Sequence, residues 1–325
     1  MHTALDPDAA ALLARISQAA YPPFEALTPA QCRKAYAASW HTMQSPGGEV
    51  AAVHDKQIQA DAPLMLRIYR GIGTSDTDVL PCMVFLHGGG WVIGNLDSHD
   101  RMCRQLANTA GICVVAVDYR LAPEHPYPAA LQDAVAALHW VADHADELRI
   151  DSHALGVGGD SAGGNLAAVL ALMSRDGDVP KLCFQALLYP VTDVTCRFPS
   201  YERVRPDLPL TSSTMRYFID HYIPPGTDKN DWRVSPLNAS TFAGVAQALV
   251  LTVAHDPLCD EGLAYAQALD QAGVRVSALH YNDQMHGLLS QGRLIPMANT
   301  VAHQVFSLVG HALHHNLKRY SQETT

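Results

Sequence analysis

The chain has 325 residues, of which 48% are hydrophobic and 17% are charged, a composition typical of a globular enzyme with a large buried core. Its 22 basic and 32 acidic residues give a net charge of -10, which disfavours binding to the phosphate backbone of nucleic acids. No apolar run approaches the roughly 20 residues that cross a bilayer, so we expect no membrane insertion and one catalytic domain.

The first 45 residues are predicted to form amphipathic helix that Pro22 and Pro23 interrupt. Asp6 and Asp8 lie where a secretory signal carries positive charges, so we expect a cytoplasmic protein. The seven cysteines fit the cytoplasm, because they are scattered, odd in number and without CxxC spacing. We therefore expect neither a disulfide framework nor a zinc site.

From about residue 50 onward, short β-branched runs alternate with longer helical patterns, which predicts a mostly parallel sheet flanked by helices. The predicted strands are Leu64–Arg70, Met83–His87, Ile112–Tyr119, Leu155–Asp160, Phe184–Pro190, Leu249–Ala254 and Val274–Tyr281. The predicted helices are Arg101–Ala110, Ala129–Glu147, Ser161–Ser174, Glu261–Ala272 and Val301–Leu317. The stretch 196–235 is rich in proline and aromatic residues, with one short helix predicted at Ser212–Tyr222. We expect it to fold together with residues 1–45 over the end of the sheet as a lid.

A histidine and three glycines, His87 to Gly90, directly follow a predicted strand in the sequence VFLHGGGWVIGN. Glycine costs conformational entropy, so such a cluster indicates an unusual bend or a close approach to a ligand. A phosphate, a nucleotide, a developing oxyanion and a simple tight turn are the alternatives at this point.

The pentapeptide Gly159-Asp160-Ser161-Ala162-Gly163 lies between a predicted strand and a helix rich in alanine and leucine. A sharp strand-to-helix turn presents the serine oxygen at the carboxyl edge of a sheet, and such a turn requires small neighbours. A phosphate-binding loop is the alternative, but the third glycine of a dinucleotide motif and the lysine of a P-loop are missing. We therefore predict that Ser161 is a nucleophile.

A serine nucleophile needs a base, an acid that orients the base, and donors for the oxyanion. Asp256 follows a predicted strand by two residues, and His286 lies in a loop after the next strand, in the chain order serine, acid, histidine. Asp260 competes with Asp256, but it directly precedes a helical pattern, where a carboxylate ordinarily caps the helix. Pro257 keeps Asp256 out of helical geometry. We assign orientation of His286 to Asp256 and helix capping to Asp260.

These partners favour a developing oxyanion as the reason for the glycines after His87. The predicted oxyanion donors are the backbone amides of Gly88, Gly89 and Ala162. The residues predicted to border the substrate are His87, Gly90 and Trp91. Among these, His87 is expected to order the loop rather than to transfer protons, and Trp91 to wall the acyl or alcohol pocket.

With these residues collected, the chain resembles the bacterial hormone-sensitive-lipase-like esterases that carry a GDSAG nucleophile motif. The similarity runs over nearly the whole chain and rests on His87–Trp91, Asp118–Glu124, Gly159–Gly164, Asp256–Leu258, Asp260–Gly262 and His286–Gly287. The chain departs from the usual family pattern beside the predicted triad, at Ala254, His255, Cys259 and Leu288.

The resemblance implies an α/β-hydrolase fold, with a core of residues 46–195 and 236–325 under a helical cap of residues 1–45 and 196–235. It also implies hydrolysis of short- to medium-chain acyl esters without a cofactor or a metal. We read the block from Tyr119 to Glu124 as structural, with Arg120 and Glu124 ion-paired beneath the site.

The prediction is therefore a serine carboxylesterase that acts on a small-molecule ester. Two alternatives stay open, of which one is a non-catalytic binding protein on the same fold. The presence of His286 argues against it, because the similar plant hormone receptors lack the catalytic histidine. The other is an amidase or acyltransferase that uses the same triad. We expect no nucleic-acid partner, and a homodimer stays open beside a monomer. His311, His314 and His315 are more typical of a solvated helix face than of a metal site.

Overall fold

The computed structural model describes residues 4–19 and 21–323, with side chains described as far as residue 316. Within these residues, eight strands form one sheet: β1 (Ala52–Gln59), β2 (Pro63–Arg70), β3 (Leu80–Leu86), β4 (Cys113–Val117), β5 (Ile150–Asp160), β6 (Phe184–Leu188), β7 (Gln247–His255) and β8 (Val276–Met285). Their spatial order is β1-β2-β4-β3-β5-β6-β7-β8. The pairs β1/β2 and β2/β4 are antiparallel, and all other neighbours are parallel. The predicted mostly parallel sheet is confirmed.

The helices of the described chain are α1 (Pro7–Ala19), α2 (Pro29–Met43), α3 (Leu96–Ala110), α4 (Ala129–Asp143), α5 (Ala145–Leu148), α6 (Ala162–Asp176), α7 (Ser200–Arg203), α8 (Ser212–Tyr222), α9 (Cys259–Gln271) and α10 (Pro296–Glu323). Every predicted helix is present, with most ends moved by at most two residues and with the start of α3 and both ends of α10 extended by five or six. The segment predicted as one helix from Ala129 to Glu147 is interrupted at His144, whose backbone leaves the helical region at φ −108° and ψ 23°. No helix among the described residues is long and apolar enough to cross a membrane.

Among the described strands, β1 is the one that sequence patterning does not predict. Its sequence, AVHDKQIQ, is mostly polar, and Ile58 is its one buried residue. Backbone pairing with β2, from Ala52 opposite Arg70 to Gln59 opposite Pro63, holds it at the edge of the sheet. An edge strand can remain polar because it buries little of either face, so hydrophobic alternation gives no signal there.

The core consists of two apolar layers, one on each face of the sheet. In β3, Val84 and Leu86 enter the layer that contains α4 and α6, whereas Met83 and Phe85 enter the layer that contains α1, α3 and α10. Side chains of a strand alternate between the two faces, so a strand buried on both faces is apolar throughout. Because β3, β5, β6, β7 and β8 pair in parallel, their carboxyl ends lie at one edge of the sheet.

The N-terminal segment and the inserted segment contact each other directly. The hydroxyl of Thr214 in α8 donates to Oε2 of Glu25 at 2.8 Å. The hydroxyl of Tyr217 in the same helix donates to the carbonyl of Leu27, also at 2.8 Å. The segments before β1 and after β6 are therefore joined although about 190 residues separate them in the chain.

Candidate active site

Ser161 lies in the sharp turn between β5 and α6. Its backbone adopts φ 55° and ψ −118°, and its amide donates to the carbonyl of Leu188 at 2.8 Å. A Cβ atom on Gly163 would collide with the backbone of Leu86 and His87, so the turn requires glycine there. The predicted strand-to-helix turn is present, and it holds the serine hydroxyl at the carboxyl edge of the sheet.

His286 lies between Asp256 and Ser161. Its Nδ1 is 2.7 Å from Oδ2 of Asp256, and its Nε2 is 3.0 Å from Oγ of Ser161. Asp256 is 1% exposed, and its second oxygen accepts the amide of Leu258 at 2.9 Å. We assign the Nδ1–H tautomer, because the carboxylate accepts that proton and leaves Nε2 to accept from the serine hydroxyl. The arrangement is therefore able to remove a proton from Ser161.

The loop after β8 holds the imidazole in this position. Gly287 has φ 76°, in the left-handed region that favours glycine, and the side-chain amide of Gln291 donates to the carbonyl of His286 at 3.2 Å. The ring of Tyr189 meets the imidazole edge to face, with 4.8 Å between the ring centres. Sequence reasoning does not single out Tyr189, although its place directly after β6 at the shared sheet edge is a usable signal.

Asp260 does not cap helix α9 as predicted. The helix starts two residues earlier than predicted, at Cys259, with Leu258 as its N-cap and no side-chain capping hydrogen bond. Asp260 therefore lies in the first turn, where its carboxylate pairs with the guanidinium of Arg203 at 2.6 Å. The assignment of helix capping to Asp260 is wrong.

The prediction that Gly88 offers a free amide to an oxyanion is also wrong. The Gly88 N–H donates to Oδ1 of Asp160 at 2.8 Å, so it points away from a substrate. Within the described residues, the amides of Gly89 and Gly90 have no hydrogen-bond acceptor. The amide of Ala162 opens helix α6, where the first amides have no acceptor within the helix.

A buried contact between a carboxylate and a histidine supports the start of the glycine loop (residues 88–94). Asp160 is 6% exposed, and its Oδ1 is 3.2 Å from Nε2 of His99, which is 2% exposed. The other ring nitrogen of His99 contacts the hydroxyl of Ser98 at 2.9 Å. Burial by itself raises the pKa of Asp160, but His99 and the Gly88 amide outweigh it and lower the pKa below its ordinary value. An ionised carboxylate therefore anchors Gly88, a role that sequence reasoning does not find.

His87 and Trp91 are both buried rather than exposed to a substrate. Nδ1 of His87 donates to the carbonyl of Gly88 at 2.8 Å, and its ring stacks on Tyr119. Burial and the neighbouring His99 lower the pKa of His87 to about 3, so the ring is neutral. Trp91 is 0% exposed and stacks on Tyr222, with 4.4 Å between ring centres. The predictions that Trp91 walls a pocket and that His87 borders the substrate are therefore wrong.

Arg120 and Glu124 do not pair with each other as predicted. The guanidinium of Arg120 bonds to the carboxylate of Asp133 at 2.8 Å. The carboxylate of Glu124 bonds instead to Arg33 of helix α2, which lowers the pKa of Glu124 to about 2. The turn that contains Glu124 is thus tied to the N-terminal segment and not to its own neighbours in sequence.

The inserted segment reaches the glycine loop at Gly90, where it also contacts the N-terminal segment. A Cβ atom on Gly90 would collide with the ring of Phe218, which belongs to α8. The ring of Phe24, from the N-terminal segment, lies 5.9 Å from the ring of Phe218. Gly90 is buried with φ 59°, so the ring of Phe218 limits the space beside it.

In the part of the chain that the structure describes, no group of three or more His, Cys, Asp or Glu side chains is placed to hold a metal ion. His314 lies instead against the end of helix α3, where its Nε2 is 3.2 Å from the carbonyl of Ala110 and 3.1 Å from that of Gly111.

Comparison with known proteins finds a matching family and relatives with similar sequences. Residues 83–290 match a protein family described as having the alpha/beta hydrolase fold. The chain is 36% identical over 304 residues to the ethyl acetate hydrolase of Pseudomonas putida, a match that covers 91% of this chain and 95% of that one. It is 40% identical over 242 residues to the carboxylesterase NlhH of Mycobacterium tuberculosis, which covers 73% of this chain and 75% of the relative.

Solved structures of esterases superpose on nearly the whole of this chain. A thermostable esterase from Pseudomonas putida superposes with a TM-score of 0.91 at 34% identity, over 95% of this chain and 98% of that one. An ester hydrolase from the Lake Arreo metagenome superposes with a TM-score of 0.90 at 37% identity, over 94% of this chain and 98% of that one. The similarity therefore includes the N-terminal and inserted segments as well as the sheet.

Proposed function

The chain belongs to the hormone-sensitive-lipase-like esterases of the α/β-hydrolase fold and is a carboxylic ester hydrolase, and from this premise we propose that Ser161, His286 and Asp256 carry out the hydrolysis. The observation that carries the proposal is the continuous contact from Asp256 through His286 to Oγ of Ser161, at 2.7 and 3.0 Å. Serine hydroxyls are weak nucleophiles, and a histidine oriented by a carboxylate is the standard means of activating them.

Hydrolysis proceeds through an acyl-enzyme. Oγ of Ser161 attacks the carbonyl carbon of the ester while its proton moves to Nε2 of His286. The bond to the alcohol oxygen then breaks, and the same proton passes from His286 to the departing alcohol. Water repeats the sequence on the acyl-enzyme and releases the carboxylic acid, while Asp256 stabilises the imidazolium in each half.

We assign stabilisation of the negative charge on the carbonyl oxygen to the backbone amides of Gly89 and Ala162. The amide of Gly90 is a third donor. The free state of the two glycine amides and the position of Ala162 at the start of α6 support this set. Gly88 is given a different role, because its amide is bonded to Asp160.

The substrate class is a short- to medium-chain acyl ester. The ring of Phe218 beside Gly90, with the ring of Phe24 near it, supports a bounded, apolar site. The name of the Pseudomonas putida relative, an ethyl acetate hydrolase, supports small acyl and alcohol groups.

Residues 1–45 and 196–235 are proposed to form one cap over a catalytic core of residues 46–195 and 236–325. The hydrogen bonds from Thr214 to Glu25 and from Tyr217 to Leu27 support this division, because they join the two segments. A cap excludes water from the site, which strengthens the oxyanion hydrogen bonds.

The test is turnover of p-nitrophenyl esters from acetate to laurate, beside an amide and a lactone, by the full chain and by Ser161→Ala. We expect the full chain to prefer the shorter esters, and Ser161→Ala to lose about 10⁴-fold or more in kcat. A p-nitrophenyl phosphonate should modify Ser161 in the full chain, as read by mass spectrometry. Modification of another serine, or turnover by Ser161→Ala near that of the unaltered chain, would contradict the assignment.

A cytoplasmic location, the absence of a nucleic-acid partner and the homodimer stay predictions. Cell fractionation tests the first and light scattering of the purified chain tests the last. Binding of a labelled duplex at low salt tests the second.

A further inference from the structure

Arg33, on helix α2 of the N-terminal segment, bonds to two loops of the core at once. Its Nε donates to the carbonyl of Val92 and its Nη2 to the carbonyl of Ala122, both at 2.8 Å. Its Nη1 donates to Oε1 of Glu124, also at 2.8 Å. The planar guanidinium therefore serves three acceptors that lie in different directions.

The carbonyl of Val92 belongs to the turn that presents the glycine amides. The turn is closed by hydrogen bonds to the carbonyl of Gly89 from the amide of Val92 at 3.1 Å and from the amide of Ile93 at 2.9 Å. Its other connection to the core is the amide of Ala122, which donates to the carbonyl of Trp91 at 2.9 Å. Val92 is 0% exposed with Arg33 in place, so Arg33 is the group that both covers its carbonyl and satisfies it.

We infer that Arg33 is a positioning residue for ester hydrolysis, which holds the amides of Gly89 and Gly90 in place through Val92 and Ala122. The inference rests on the proposed function of those amides. Arg33 bonds to the carbonyls of Val92 and Ala122 and not to the reacting atoms, so it acts through the glycine loop. The N-terminal segment thereby contributes to the oxyanion site in addition to covering it. Asp160 fixes the loop at Gly88, and Arg33 fixes it at Val92.

The experiment compares the full chain with Arg33→Ala and Arg33→Lys. The readouts are kcat and KM for p-nitrophenyl butyrate, and the inhibition constant of a trifluoromethyl ketone that adds to Ser161. We expect Arg33→Ala to lose about 10- to 100-fold in kcat, because small displacements of a site are costly, with KM changed by less than about threefold. Affinity for the ketone should fall with kcat, since its oxyanion uses the same amides. Arg33→Lys should recover only part of the loss, because one ammonium does not reach three acceptors.

Two further variants separate positioning from general stability. Glu124→Gln keeps the bonds of Arg33 to both carbonyls, so its loss of kcat should be several-fold smaller than that of Arg33→Ala. Arg205→Ala removes an arginine of the inserted segment that pairs locally with Asp207, and it should stay within about twofold of the unaltered chain. Methylguanidinium at millimolar concentration should restore part of the kcat of Arg33→Ala.

The inference is overturned if Arg33→Ala keeps kcat and ketone affinity within about twofold, or if Glu124→Gln loses as much as Arg33→Ala. A variant Arg33→Ala that does not fold leaves the comparison of Arg33→Lys with Glu124→Gln to decide. Failure of the proposed function looks different, because then the unaltered chain itself would not turn over esters and would not be modified at Ser161.

Discussion

Asp160 accepts the amide of Gly88 at 2.8 Å, so the residue before the nucleophile fixes the first glycine of the loop on the neighbouring strand. The same carboxylate contacts the ring of His99, and all three groups are excluded from water. A buried carboxylate with these partners is stabilising only while the partners are present.

Asp160→Ala should lower the free energy of unfolding by a few kcal/mol, because the Gly88 amide and the His99 ring each lose a partner worth about 1–3 kcal/mol when buried. Asp160→Asn keeps an oxygen for the amide and should lose less. Urea unfolding measures both, with Asp207→Asn on the surface as the matched control. Equal losses for the two Asp160 variants would mean that the bond to Gly88 contributes nothing to stability.

Asp256→Asn should be far more damaging to catalysis than Asp260→Asn. An amide at position 256 favours the wrong tautomer of His286, and we expect kcat to fall by about 10⁴-fold. Asp260 loses only a partly exposed pair with Arg203, worth less than about 1 kcal/mol. The check is kcat together with the melting temperature of each variant. Equal losses of activity at equal melting temperature would reverse the assignment of the two acids.

Glu261 should make the stability of the chain depend on pH. It is 0% exposed, its Oε1 accepts the amides of Thr192 and Asp193 at 2.7 and 3.2 Å, and burial raises its pKa well above the ordinary 4.5. The folded chain thus holds this proton more tightly than the unfolded chain. The protonated Glu261 carboxyl contributes fully to stability below the pKa that it has in the unfolded chain. This contribution is lost as the pH rises through the pKa that it has in the folded chain.

Glu261→Gln keeps the acceptor oxygen but cannot ionise. It should match the unaltered chain near pH 4.5 and be more stable than it at pH 8, by about 1.4 kcal/mol for each unit by which the pKa is raised. Urea unfolding at several pH values measures the difference. A difference that does not change with pH would argue against an ionising Glu261.

Deletion of residues 1–48 should abolish most ester turnover while much of the secondary structure remains. The deleted chain loses Phe24, whose ring lies near that of Phe218, and the apolar side chains of Leu12 and Leu13, which are buried in the core. Exposed apolar surface should also make it aggregate. Circular dichroism, light scattering and kcat measure the three effects. A deleted chain that stays in solution with full activity and an unchanged preference for chain length would show that the acyl pocket is built elsewhere.

The triad was predictable because each of its members follows a strand in a known chain order. The parallel sheet then brings these three positions together. Parallel strands end at one edge, so residues after β5, β7 and β8 meet there whatever lies between them. The three glycines after β3 were predictable as a group only. Which of their amides is free depends on the direction of the Asp160 side chain. The spacing of residues in the sequence does not predict that direction.

The pairing of Glu124 was missed for a related reason. Arg120 lies four residues away and is the natural partner by local spacing, yet Arg33 binds Glu124 from 91 residues away. Local sequence shows only nearby charges, whereas the fold decides which distant helix packs on a loop. The same holds for Trp91, because its burial depends on Tyr222 of the inserted segment.

The backbone of Ser161 has a consequence for the heat resistance of the protein. At φ 55° and ψ −118° an L-residue is strained by about 1–3 kcal/mol, whereas glycine adopts this conformation freely. Ser161→Gly should therefore melt at a higher temperature than Ser161→Ala, and we expect neither to turn over esters. At this position glycine would give a more thermally stable protein than the reactive serine does. Activity and thermal stability therefore oppose each other at residue 161.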